Sequence, residues 1–187
     1  MVLWSIGVSA QMIQKKDGSK IDVSGGTIHV EPGNKRLTYF LKDNKKEMHV
    51  KFKELDQANW GDFVFKTFLI DGKDSGFYVV TESPTKTLLT TKRVRIKSRG
   101  GFESTYTHYE VAVLDKQNKI LDGLSFTDEN NEKKSDERSK VIPMIKSHFP
   151  DCPKLIERVT AFESPTTDAN NATVLVFLND PTSIKCL

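Results

Sequence analysis

Little in this sequence encodes the common chemistries, and the absences narrow the field. Only two cysteines occur, Cys152 and Cys186, with no CxxC pair, so thiolates alone cannot hold zinc and no thioredoxin-like motif is present. The four histidines, His29, His49, His108 and His148, stand at least 20 residues apart, without a His-x-His or His-x3-His pair. No metal site is expected from them. A glycine-rich phosphate loop ahead of a helix is missing, and no cofactor is implied. The nearest approach to a nucleophile elbow, Gly123 to Thr127 around Ser125, lacks the second glycine that lets serine sit on a strained turn. The segment from Asp128 imitates a calcium loop and then breaks it. Lys133 stands where the sharp turn needs glycine, and Ser139 where a bidentate glutamate belongs.

Charge of one sign is also lacking. Against 25 acidic residues stand 28 basic ones, a net +3, too balanced to argue for nucleic acid without local clustering. No apolar run approaches the roughly 20 residues of a membrane-spanning helix. The length of 187 residues suits one domain, and at this size roughly 70% of the chain's surface can be buried without help from a metal.

What is present begins with MVLWSIGVSAQ. An apolar run from Val2 to Val8 leads into Val8-Ser9-Ala10 before Gln11, the small-residue spacing that signal peptidase accepts, although the basic n-region is missing. Residues 1–10 are therefore expected to be the remnant of a signal peptide, and the protein to be exported to the periplasm or outer envelope. A first strand built on Leu3, Ile6 and Val8 is the alternative. In an oxidising compartment Cys152 and Cys186 can pair, and closing their loop would contribute about 3–4 kcal/mol, but spacing alone leaves the pairing open.

From 11 to 127 the chain reads as an antiparallel β domain. Asp17-Gly18, Gly25-Gly26, Pro32-Gly33, Asp43-Asn44, Asp71-Gly72, Gly100-Gly101 and Gln117-Asn118 are turn signals between stretches rich in Val, Ile, Thr, Phe and Tyr. Met48, Val50 and Phe52 alternate with charged residues, as in a half-buried strand. Residues 62–70 and 76–80 are apolar on both faces and read as interior strands. Residues 128–140 read as a charged linker, with a frayed helix start the alternative for 128–139. Beyond them Val141, Ile142, Ile145 and Phe149, then Leu155, Ile156, Val159 and Phe162, keep helical spacing, with Pro143 and Pro153 in first turns and Asp151 a candidate cap. TVLVFL, 173–178, reads as a last strand. The fold class is α+β, mostly β: an antiparallel meander of roughly eight to ten strands, a curved sheet or a small barrel, with a C-terminal helix pair and final strand (141–187) packed on it.

The corner Phe149-x-Asp151-Cys152-Pro153 resembles one found in small uncharacterised exported proteins of Bacteroidota bacteria. The likeness spans some 25 residues. It implies an envelope location and supplies no catalytic residues.

Three candidate sites follow. Arg93, Arg95, Lys97 and Arg99 alternate along one strand with Val94 and Ile96, so the cations are expected to face water with Tyr106, His108 and Glu110, and the aliphatics to face inward with Thr105, Thr107 and Tyr109. This basic strand suits an edge or a polyanion or anionic-lipid surface. Phe63, Phe65, Phe77, Tyr78 and Tyr109 are candidate ligand-lining residues if the sheet encloses a cavity. A non-enzymatic binding or envelope protein, taking a small apolar ligand or a protein partner, is the preferred reading. An exported hydrolase with a dispersed site using His108 or Asp71 is the rival, although Asp71 and Asp74 are also ordinary turn residues. No nucleic-acid partner is expected, since neither a recognition helix nor a stacking aromatic pair is present.

Overall fold

A computed structural model describes residues 11–99, 101–129, 132–163, 168 and 170–186. Residues 1–10 lie outside it, and with them both readings of the amino terminus.

Twelve strands and four helices are described. Met12–Lys15 (β1) and Lys20–Asp22 (β2) form a hairpin across Asp17-Gly18, where Gly18 has φ 85°. Thr27–Glu31 (β3), Arg36–Leu41 (β4) and Asn44–Lys51 (β5) make a separate three-stranded sheet. Leu55–Trp60 (β6), Phe63–Ile70 (β7), Lys73–Glu82 (β8), Lys86–Arg99 (β9), Phe102–Asp115 (β10) and Ile120–Thr127 (β11) continue as a meander. The large sheet runs β11-β10-β9-β8-β7-β6-β1-β2 and is curved without closing into a barrel. The turn between β7 and β8 puts both Asp71 and Gly72 at positive φ (49° and 72°), the conformation an Asp-Gly pair supplies to a two-residue hairpin.

Both layers that cover this sheet lie on one face of it. At one end Ile13, Ala58 and Phe65 pack against Leu37, Tyr39 and Val50 of the small sheet, with Phe52 and Leu55 between. A side chain at Gly76 would meet the Phe65 ring at 2.5 Å and Phe52 at 2.7 Å, so glycine is what lets those two rings close over the strand. At the other end Tyr109, Val111, Val113 and Phe126 are covered by Val141–His148 (α2), Pro153–Thr160 (α3) and Thr173–Asn179 (α4). Phe77, Val79, Leu89, Ala112 and Leu114 are buried on the opposite face.

The helix pair begins and turns where the prolines direct it. Val141, Ile142 and Ile145 bury the stripe of α2, and α3 starts at Pro153. Cys152, not Asp151, occupies the N-cap of α3, and no side chain caps it.

Two segments differ from expectation. Glu132–Ser139 is a helix (α1), not a linker. It docks through hydrogen bonds: the buried Arg138 side chain reaches three main-chain carbonyls, and Asn171 donates to the carbonyl of Ser135. An apolar stripe, the usual sign of a docked helix, is absent there. Residues 173–178 form α4, not a strand. A short β-branched run does not distinguish the two by composition, but Val174, Phe177 and Leu178 are buried at i, i+3 and i+4 while Val176 is exposed. The Asp168 carboxylate accepts from the Thr173 amide and anchors the first turn. The last strand is instead Ile184–Lys185 (β12), parallel to the end of β8.

Candidate functional site

β9 and β10 are each 14 residues long, and their neighbours are shorter. β8 accompanies β9 only to Thr90, and β11 accompanies β10 only to His108. Beyond those points the pair Lys92–Arg99 and Phe102–Thr107 has no further strand beside it among the described residues, and continues as a two-stranded ribbon of about 25 Å. Arg99 pairs with Phe102, and Gly101 in the turn between them has φ 83°; Gly100 lies outside the described residues.

Alternation along the ribbon is as expected: Arg93 opposes His108 and Arg95 opposes Tyr106, while Val94 opposes Thr107 and Ile96 opposes Thr105. The expected burial is not. Val94 is 67% exposed and Ile96 66%, because the helices end short of them; α4 reaches only to Lys92, which donates to Asn179. Both faces of the ribbon are therefore wet, one basic and one aliphatic. At its base Arg93 pairs with Glu110 at 3.4 Å, and Arg95 is exposed. Lys97 and Arg99 keep the backbone register opposite Ser104 and Phe102, and their side chains lie outside the described residues. Residues 91–107 hold five basic side chains and one acidic, so this ribbon carries more positive charge than the +3 of the whole chain.

The five aromatic candidates do not converge. Phe63, Phe65 and Tyr78 join Trp60 in one row of rings with centroids 5.2–6.2 Å apart. Burial pushes the Tyr78 phenol up to about 12. Phe77 lies on the opposite face against Phe68, and Tyr109 is sealed beneath the helices, stacked on Phe126 with its hydroxyl 3.2 Å from Asn179. Phe65, Phe77 and Tyr109 are core residues, Phe63 and Tyr78 are half-buried beside them, and the open sheet offers no barrel mouth for the five to line.

The catalytic candidates fare differently. Asp71 is an exposed turn residue, and Asp74 is tied to Lys16 at 2.7 Å. His108 Nε2 lies 3.1 Å from the Ser125 hydroxyl, a pairing that adjacent strands β10 and β11 create. Glu110 approaches that same nitrogen at 3.4 Å, and among the described residues no carboxylate orients Nδ1 as a serine–histidine–acid arrangement requires. Among the described residues no group of three His, Cys, Asp or Glu side chains is placed to hold a metal, and no helix is long and apolar enough to cross a membrane.

Cys152 and Cys186, whose pairing the sequence left open, form a disulfide that ties the helix corner to the residue after β12. Beside it opens a cleft of about 500 Å³ between the turn at 83–86 and the corner at 147–152. At its edge Lys86 Nζ is 3.3 Å from His148 Nδ1, and His148 Nε2 is 3.2 Å from Asp122. These three residues come from β9, α2 and β11, and no spacing in the sequence links them.

No protein-family model matches this chain, and neither a curated protein nor a solved structure matches it.

Proposed function

We propose that this is an exported, non-catalytic binding protein that docks on an anionic lipid surface through the β9–β10 ribbon. The observation that carries this reading is the solvent exposure of Val94 and Ile96 on a projecting ribbon whose other face is basic. An aliphatic face entering the headgroup layer, with long cationic side chains reaching anionic phosphates around it, is the β counterpart of an interfacial amphipathic helix. Each Lys or Arg near such a surface contributes about 1 kcal/mol, so the five of residues 92–99 suffice for attachment when two aliphatic side chains add to them. Export is supported by the Val8-Ser9-Ala10 spacing and by the Cys152–Cys186 disulfide, which persists in oxidising compartments.

A hydrolase is the reading that the His108–Ser125 contact favours. It is set aside because Ser125 and Glu110 compete for one imidazole nitrogen.

Co-sedimentation with vesicles tests the proposal. The full chain is expected to pellet with phosphatidylglycerol vesicles, to stay in solution with phosphatidylcholine vesicles, and to be released by salt. Equal partition between the two lipids would reject it.

A further inference from the structure

The cleft beside the disulfide lies at the end of β9 away from the ribbon tip. Its volume of about 500 Å³ falls within the roughly 300–1,000 Å³ of small-molecule sites. Pro84, Phe149, Pro150 and the disulfide give it apolar walls, and its charged side chains are in two different states.

Glu82 is engaged, its carboxylate 2.7 Å from Lys66. Lys86 is held but not neutralised. It donates to His148 Nδ1 at 3.3 Å and approaches the His148 carbonyl at 3.5 Å, and both acceptors are uncharged. Donation into Nδ1 places the ring proton on Nε2, where Asp122 accepts it at 3.2 Å. Asp122 thus fixes the imidazole, the imidazole fixes the ammonium, and one N–H of Lys86 is left for a ligand. Among the described residues no carboxylate lies within ion-pair distance of Lys86. Asp151, an exposed residue that also lines the cleft, likewise has neither a hydrogen bond nor an ion pair among the described residues.

We infer that the cleft binds a small zwitterion with an apolar body, of the class of a free apolar α-amino acid or dipeptide. The ligand carboxylate meets Lys86, its ammonium meets Asp151, and its side chain lies against Phe149 and Pro84. A simple carboxylic acid would leave Asp151 facing a like charge, and a simple amine would do the same to Lys86. A ligand carrying both charges satisfies both groups at once. This inference is independent of the ribbon, which stands or falls by lipid binding.

The test is an amide chemical-shift titration of the full chain, disulfide intact, at neutral pH. The probes are leucine, phenylalanine and leucyl-leucine, with isovalerate, isobutylamine and N-acetyl-leucinamide as controls lacking one or both charges. Saturable shifts confined to 83–86 and 147–152 are expected with the zwitterions at concentrations up to about 10 mM, and much weaker ones with the controls. Lys86→Met and Asp151→Asn, both surface changes whose spectra report their own folding, should each weaken leucine binding at least about tenfold. Absence of shifts with every zwitterion, equal binding of a singly charged control, or undiminished binding in both variants would overturn the inference.

Discussion

Thr81 and Cys186 meet across 105 residues of sequence: the threonine hydroxyl, fully sealed from solvent, donates to the Ile184 carbonyl at 2.7 Å and lies 2.8 Å from the Cys186 sulfur. Two residues of parallel strand and one hydroxyl hold the C-terminal tail on β8, and the bond to Cys152 closes it. So short a strand has little stability of its own. With the cysteines separated by 34 positions, the double variant Cys152→Ser/Cys186→Ser should be less stable by about 3–4 kcal/mol. Denaturant unfolding of the oxidised protein beside the variant measures the difference, and coincident midpoints would show that the closure contributes nothing.

Glu31 predicts an acid-side effect with a definite sign. The Arg36 guanidinium, the Thr38 hydroxyl and the Asn34 amide all donate to its carboxylate, which holds its pKa down to about 2 from an ordinary value of 4.5. A depressed pKa means that the folded state favours the ionised form. Its stabilisation is complete above about pH 4.5 and is lost as pH falls toward about 2. Glu31→Gln should lower stability at neutral pH by about 1–2 kcal/mol, since the bonds to Arg36 are charge-assisted. The variant should also lose less stability than the native chain between those two pH values. Parallel acid limbs in thermal unfolding would contradict this.

Arg138 holds α1 in place without an apolar stripe. Its guanidinium donates to the carbonyls of Thr127, Glu129 and Asn170, and burial lowers its pKa from the ordinary value. Arg138→Met leaves three carbonyls without their donors and should cost about 3 kcal/mol, with amide exchange in α1 accelerated ahead of the rest. Arg138→Lys should not restore the loss, because a single ammonium cannot reproduce the planar fork. Full recovery by lysine would mean that charge alone matters.

Export makes a separate demand. Processing after Ala10 predicts a mature chain beginning at Gln11 in the periplasmic fraction of an expressing cell, read by N-terminal sequencing. An unprocessed cytoplasmic chain would remove the envelope from the account while leaving lipid affinity testable in vitro.

Much of this architecture was legible in the sequence, because alternation and turn residues are local signals. Met48 and Val50 announced β5, Asp71-Gly72 the β7–β8 hairpin, and Pro143 and Pro153 the first turns of α2 and α3. What escaped depends on partners distant in sequence. A strand shows which side chains share a face, not whether anything covers that face, so Val94 and Ile96 read as buried although about two-thirds of each is exposed. Arg138 read as part of a solvated run because two of its three carbonyl partners, Thr127 and Asn170, lie outside that run. For TVLVFL the buried i, i+3, i+4 set was present, and the β-branched composition outweighed it. Lys86, His148 and Asp122 share no motif at all.

The measurement that bears most directly on the docking claim is the emission of Ile96→Trp with vesicles, after subtraction of the native Trp4 and Trp60 signal. On phosphatidylglycerol vesicles the new indole should shift to the blue and be quenched by brominated acyl chains, and Arg93→Glu/Arg95→Glu in the same background should abolish both changes. An indole that keeps its aqueous emission while the protein sediments with those vesicles would contradict docking through the ribbon.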